Sequence, residues 1–335
     1  MSKKINIDIW RFVVSFLIVA IHISPFAKIN SEFDFFFTRI LGRIAVPLFL
    51  MITGYYILDK SIKDKKVLIN YTKKILKIYL FCILLYLTIN IYMGSFKDVN
   101  MILIIKDLLI NGTLYHLWYF PALIVGIWIV YYLIRKLGQR KTFIIAILLY
   151  IIGLLGDSYY GLISINEVTK NIYDAMFNVF DYTRNGLFYV PIFLCLGYIV
   201  KEKTKNIKFN LLYSLIFFVL MCVEGSILHY YNLQRHDSMY IFLIPLMYFL
   251  FDYLINHSKT SNKKIRNIAT YVYIFHPLFI VGIRFVSRLI KMNEILVENN
   301  LVLYIMVCVV TTVFAFLIEK IKEVINNERK KLIKR

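Results

Sequence analysis

The stretch 9–26, IWRFVVSFLIVAIHISPF, decides the fold. An apolar run of this length satisfies its own backbone polar groups in lipid only as a helix. Within it, Arg11 and His22 are eleven residues apart. Eleven steps of about 100° leave a remainder of about 20°, so both side chains lie on one helix face. Along the axis they are about 16 Å apart, roughly half of the ~30 Å hydrocarbon core. An intramembrane Arg and His on one stripe are costly and point to a polar path through the protein. The plainer account of the same pair is a snorkelling Arg11 at the cytoplasmic surface and a satisfied interfacial His22.

The rest of the chain repeats the pattern. It is 60% hydrophobic, with a mean hydropathy of +0.67, which excludes an ordinary soluble domain. The short alternating segments of a membrane barrel are absent, so the expectation is an all-α integral membrane protein. About ten transmembrane helices are predicted, over roughly 9–26, 36–58, 75–93, 114–134, 142–156, 186–200, 209–230, 239–256, 268–287 and 300–318. The segments 142–156 and 186–200 are short, which predicts tilting, a break or partial re-entry. Charged and aromatic residues rather than a small-x-small site follow the first segment, which is therefore read as a retained span.

The net charge of +20 has a topological explanation. Of the forty Lys and Arg residues, 28 fall at the N-terminus, in the even-numbered connections and in the tail. Only eight fall in the odd-numbered connections. This positive-inside pattern places both termini in the cytoplasm of a multi-pass cell-membrane protein. The excess serves insertion and attraction to the anionic lipid bilayer, and no nucleic-acid partner is expected. Residues 1–320 form one transmembrane domain and 321–335 a basic cytoplasmic tail. The external connections 94–113 and 157–185 have room for short interfacial helices. Cys82, Cys195, Cys222 and Cys308 all lie in apolar stretches without ligand spacing, so neither a disulfide nor a metal is expected.

Polar residues inside the spans are the candidates for chemistry. By this topology His22, Arg43, His116 and Glu224 all reach the outer half of the bundle. A histidine oriented by a carboxylate is a general base, and an arginine stabilises charge developing on an acyl carbonyl. Arg43 with Glu224 also reads as a buried structural ion pair, and His116 beside Trp118 as an interfacial anchor. His276 precedes Pro277, where it would satisfy backbone carbonyls freed by the proline. At the outer mouth, 181–186 (DYTRNG) and 234–237 (QRHD) mix charge signs. They suit a site for a polar external substrate or, equally, solvated loop turns.

Several of these stretches resemble a known family. They are the Arg11-x10-His22 stripe, the run Arg43-Ile-Ala-Val-Pro-Leu-Phe-Leu-Met-Ile-Thr-Gly54-Tyr-Tyr, and Tyr115-His116-Leu-Trp118-Tyr-Phe. Together they are similar to the membrane acyltransferase-3 family along essentially the whole chain. Thr183-Arg184-Asn-Gly-Leu-Phe, Glu224-Gly, Gln234-Arg235-His236-Asp237-Ser-Met-Tyr and Ile274-Phe-His276-Pro-Leu look most like the membrane domain of vancomycin-resistance membrane serine racemases. Those relatives carry a soluble racemase domain after the last helix, which this sequence lacks, so no racemase activity is expected of it.

The resemblance implies transfer of an acyl group, often acetyl, from cytosolic acyl-CoA to a hydroxyl of an envelope glycan or other polar extracytoplasmic acceptor. Acyl-CoA would be a co-substrate, with no bound cofactor. By that resemblance His22 is the catalytic histidine, and the placement of Glu224 and Arg43 in the same half of the bundle makes them its candidate assistants. Arg11 holds the donor, together with Lys73, Lys74 and Lys77, which stand where arginines are common in the family. Lysine holds a phosphate as a point charge rather than a planar fork. His116, Trp118, Arg184, Arg235 and Asp237 are the acceptor-side candidates. Two other readings stay open. One is a carrier for serine or another amino acid, for which Arg184, Arg235, Asp237 and Glu224 supply both charge signs. The other is a non-catalytic membrane partner.

Overall fold

The computed structural model describes residues 5–94, 100–202, 208–259 and 261–333. Lys3, Lys4, Lys97, Lys203, Lys205, Lys334 and Arg335, part of the charge pattern above, lie outside the described residues. Among the described residues the regular structure is helical apart from one two-residue parallel pairing, β1 (Ile5–Asn6) with β2 (Ser258–Lys259). The helices run α1 (Ile7–Ile23), α2 (Ser31–Lys63), α3 (Lys65–Tyr92), α4 (Met101–Lys106), α5 (Tyr119–Leu155) and α6 (Glu167–Val179). They continue with α7 (Val190–Glu202), α8 (Asn210–Tyr230), α9 (Leu243–Asn256), α10 (Lys263–Leu289) and α11 (Asn300–Ile333).

Each apolar segment of the sequence falls on one of these helices, and six of them (α2, α3, α5, α8, α10 and α11) are long and apolar enough to cross a bilayer. The segments 114–134 and 142–156 share α5, whose 37 residues measure about 56 Å and exceed one crossing. Gly138 breaks it, at φ 78°, in the left-handed region open to glycine, amid Arg135, Lys136, Arg140 and Lys141. Both connections read from sequence as external contain helices, α4 and α6. On α6, Val168, Ile172 and Val179 are exposed apolar residues that suit a membrane interface.

The structure divides into two compact units, residues 1–45 with 254–335 and residues 46–253. In the first, α1, α10 and α11 share one core. Val19 and Ile23 of α1 meet Ile268, Val272 and Ile280 of α10 and Leu303, Val307 and Ala315 of α11. Phe314 takes the edges of Phe275 and Phe279, with ring centroids at 5.0 and 5.2 Å. This unit also holds the start of α2, which is irregular. A wide π turn over Phe35–Ile40 runs into a tight 3-10 turn over Leu41–Ile44. Such departures inside a helix recur at functional sites.

In the second unit α7 is apolar on every side and buried from Val190 through Gly197, as befits a central helix. Gly54 and Gly197 let two backbones touch. A Cβ on Gly54 would stand 2.2 Å from the Leu194 carbonyl oxygen, and one on Gly197 would stand 2.1 Å from that of Met51. With 13 and 14 residues, α7 and α9 measure about 20 and 21 Å, short of a full crossing. Irregular chain, 180–189 and 231–242, leads into each.

Candidate active site

The first unit holds Arg11, His22 and Arg43. Asp8, in the first turn of α1, is 1% exposed. Its Oδ2 accepts hydrogen bonds from Ser261 Oγ (2.8 Å) and the Asn262 backbone N–H (2.7 Å), just before α10 begins. Its Oδ1 pairs with Arg11 Nη1 at 3.3 Å. The guanidinium is thus anchored on a buried carboxylate rather than snorkelling as a lone charge. Arg266 donates to Ser261 Oγ (3.1 Å), adding a second cation to this end of the unit.

At the other end of α1, His22 stacks on His276 of α10, with ring centroids 5.3 Å apart and planes within 17°. His276 Nδ1 lies 2.9 Å from the Tyr273 carbonyl and 3.2 Å from that of Val272. Pro277 has no N–H to offer the Tyr273 carbonyl four residues earlier, and the imidazole takes its place. The turn carrying Arg43 packs on α1 one residue before His22, since a Cβ on Gly42 would lie 2.9 Å from Ile21 Cγ1. Arg43 itself is buried.

The second unit holds the other candidates, and its polar side chains fasten the two irregular segments. Glu224 of α8 accepts from the Ile241 N–H (2.7 Å) and Tyr159 Oη (2.8 Å) at Oε1, and from the Phe242 N–H (3.1 Å) at Oε2. It therefore serves donors left open where the chain enters α9. Burial, then the Glu224 charge and the bond to it, raise the Tyr159 phenol above its ordinary pKa, so Tyr159 stays a donor at neutral pH. Asp157, 1% exposed, does the same work beside it. Its Oδ1 accepts from Ser158 Oγ (3.0 Å) and from the backbone N–H groups of Ser238 (2.7 Å) and Met239 (3.0 Å). Tyr150 Oη donates to the Tyr240 carbonyl (2.9 Å) and accepts from its N–H (3.1 Å). On the other segment, Thr183 Oγ1 donates to the Gly153 carbonyl (2.8 Å), and Asn185 Oδ1 accepts from the N–H groups of Leu187 (2.9 Å) and Phe188 (3.0 Å).

Some predicted residues come together here. Arg184 lies over two aromatic faces, 5.1 Å from the centroid of Trp118 and 4.7 Å from that of Tyr182. The edge of His236 meets Tyr182 at 4.9 Å. His236 Nδ1 is 2.6 Å from Ser238 Oγ, 3.5 Å from Asp157 Oδ2 and 4.0 Å from Asp237 Oδ1. Arg235 stacks on Phe177 and donates to the Asp181 carbonyl (2.9 Å). Asp181 in turn pairs with Lys106 and accepts from Asn111, both at 2.6 Å.

Others do not join this cluster. His116 is 1% exposed, its ring edge-on to Tyr86 at 5.1 Å, a core position rather than an interfacial anchor. Lys73, Lys74 and Lys77 lie exposed on α3. The Glu224 carboxylate, read from sequence as a candidate partner of His22, accepts from two backbone N–H groups and a tyrosine. A buried carboxylate does meet a histidine in this unit, Asp157 with His236, and nothing in the sequence singles out Asp157. Its setting, Gly156-Asp157-Ser158, reads as an ordinary turn.

A family model described as an acyltransferase domain, Acyl_transf_3, matches residues 4–320. The chain belongs to the acyltransferase-3 family. Among its relatives are two amino-acid racemases of Enterococcus faecalis, 40% identical over 316 residues and 34% identical over 343. A serine/alanine racemase of Enterococcus gallinarum is 36% identical over 321 residues. These alignments cover 93%, 99% and 93% of this chain but 44%, 48% and 45% of the relatives. The chain thus spans about half the length of the curated relatives it matches. No solved structure matches it. With six helices among the described residues long and apolar enough to cross a bilayer, this acyltransferase-3 chain is a multi-pass membrane protein.

Proposed function

We propose that the protein is a cell-membrane acyltransferase that crosses the bilayer about ten times with both termini in the cytoplasm. It moves an acyl group, acetyl in the simplest case, from cytosolic acyl-CoA to a hydroxyl of an extracytoplasmic envelope acceptor. The observation that supports this best is α1, an unbroken helix in an acyltransferase-3 chain with Arg11 near one end and His22 near the other. Their ~16 Å separation suits an extended pantetheine arm, which would let a donor held at the cytoplasmic end present its thioester near His22.

The chemistry balances with these residues. His22 takes the proton of the acceptor hydroxyl, whose oxygen attacks the thioester carbonyl. Arg43 stabilises the resulting oxyanion. Collapse breaks the C–S bond, and the proton on His22 goes to the departing thiolate, leaving the acyl ester and free CoA. Arg11 and the exposed Lys73, Lys74 and Lys77 are the candidates for the donor's phosphates, and Arg184 with Trp118, Arg235 and Asp237 for the acceptor. Glu224 enters this scheme by holding the lead-in to α9.

The test is acetyl-CoA binding and thiol release by the protein in lipid nanodiscs. His22→Ala is expected to lower release by about 10²–10⁴-fold, and Arg11→Ala to weaken acetyl-CoA binding. A folded, monodisperse protein that binds no acetyl-CoA would sink the reading. One observation favours a carrier instead: α7 and α9 are helices too short for a full crossing that begin behind irregular chain, an arrangement transporters use to bind substrates. Serine uptake into proteoliposomes without acetyl-CoA turnover would select that alternative.

A further inference from the structure

We propose that His276, fixed by Pro277, is a positioning residue that sets the ring plane of His22. The inference rests on the reading of His22 as the catalytic base and adds to it a device that keeps the base aimed.

The device begins in the backbone. A proline inside a helix leaves the carbonyl four residues earlier without its donor, and in a dry helix interior that carbonyl needs another. In α10 the carbonyl is that of Tyr273, and the substitute donor is the Nδ1–H of the residue just before the proline, His276. A carbonyl oxygen only accepts, so the proton of this ring sits on Nδ1. The second carbonyl, that of Val272, lies on the same side at 3.2 Å. Two acceptors from one helical turn leave the ring little freedom about its side-chain bonds. It is also wholly buried, at 0% exposure, with Val272 of the three-helix core one turn away.

This immobilised ring is the surface on which His22 lies. At 5.3 Å and 17° the two imidazoles are offset-stacked, a geometry that constrains tilt. α1 fixes where the Cα of His22 stands, and stacking on His276 constrains the plane of its ring. A general base works only when its lone pair points at the proton it removes, and misplacement by about 1 Å can cost ~10²-fold in rate. The same proline–histidine pair thus meets a backbone need and orients the reactive group of the neighbouring helix.

The two roles can be separated. His276→Asn keeps a donor for the Tyr273 carbonyl but removes the ring. His276→Phe with Pro277→Ala keeps a ring and gives that carbonyl a backbone N–H. The readouts are acetyl-CoA thiol release and the ¹⁵N spectrum of histidine-labelled protein in nanodiscs, with His22→Asn and His276→Asn assigning the signals. In the wild type, His276 is expected as the Nδ1–H tautomer. His276→Asn is expected to shift or broaden the His22 resonances and to lower kcat by about 10–100-fold, with the acetyl-CoA KM within about twofold. The Phe/Ala double variant is expected to recover a narrow His22 signal and at least part of kcat. A folded His276→Asn protein with unchanged His22 signals overturns the proposal, as does His276 found in the Nε2–H form. If wild-type protein releases no thiol at all, the acyltransferase reading fails, and the ¹⁵N spectra still decide whether His276 positions His22.

Discussion

The two units spend their polar side chains differently. In the first, the regular helix α1 carries Arg11 and His22, steadied by side chains: Arg11 by Asp8, His22 by the ring of His276. In the second, Glu224, Asp157, Tyr150 and Asn185 are committed to backbone groups of non-helical chain. A regular helix satisfies its own backbone and leaves side chains free to act. Irregular chain inside a membrane protein must be satisfied from outside, and the side chains that do this are lost to chemistry. An intramembrane carboxylate is therefore a weaker sign of catalysis where a short helix begins than on an unbroken one.

The hardest test of this contrast is Asp157→Ala. It removes the acceptor for two buried N–H groups and breaks the pair with His236, and a loss of about 3–5 kcal/mol is expected in thermal unfolding in nanodiscs. Amide exchange at Ser238 and Met239 should rise with it. A variant as stable as wild type would mean that the segment 231–242 does not depend on its side-chain ties.

Glu224 sharpens the contrast further. Glu224→Ala should cost about 2–4 kcal/mol, since two buried N–H groups and a phenol lose their acceptor. Glu224→Gln keeps one oxygen in place and should cost less, with thiol release retained to within about fivefold. Loss of turnover in a stable Gln variant would restore Glu224 to the catalytic group and remove the distinction drawn between the units.

These differences also mark what could be read from sequence. Hydropathy located the helices, because burial in lipid leaves a one-dimensional record. The break at Gly138 falls between two of the apolar segments read as spans, and the short segment 186–200 is the short helix α7. His276 was legible as a donor to a carbonyl freed by Pro277 because both partners lie within one turn. Asp157 was not, since its N–H donors are 81 and 82 residues away, nor was the anchoring of Asp8 on Ser261 and Asn262, more than 250 residues on. The π and 3-10 turns that carry the chain to Arg43 change the hydrogen-bond ladder without changing hydropathy, so no pattern of residue types announces them.

A smaller effect comes from Tyr159, whose hydroxyl joins the lead-in of α9 to the connection after α5. Tyr159→Phe removes a bond to a carboxylate and should cost about 1.5–3 kcal/mol at pH 7. Its folded-state pKa is raised, chiefly by burial, so the folded form holds the phenolic proton more tightly than the unfolded chain does. Stability from this group is complete below the ordinary tyrosine pKa of about 10 and is lost as pH climbs through the raised value. Wild type should therefore lose its advantage over the Phe variant only in alkali, and a stability gap that closes on acidification from pH 8 to 6 would contradict the assignment.

The least effect on stability should come from Lys73, Lys74 and Lys77, which lie exposed on α3. Changing all three to Gln should move the unfolding temperature little, since surface substitutions of this kind fall within about 0.5 kcal/mol. If they receive donor phosphates, the change appears in binding instead. The acetyl-CoA KM should rise severalfold, kcat should hold, and the salt dependence of binding should flatten, because point charges at an exposed site are screened over about 8 Å at physiological ionic strength. Arg11→Ala should weaken the donor less salt-sensitively, since its guanidinium is largely enclosed beside a buried carboxylate. Equal salt dependence for the triple lysine variant and the wild type would remove the lysines from donor binding and leave Arg11 as the cation that remains a candidate for that role.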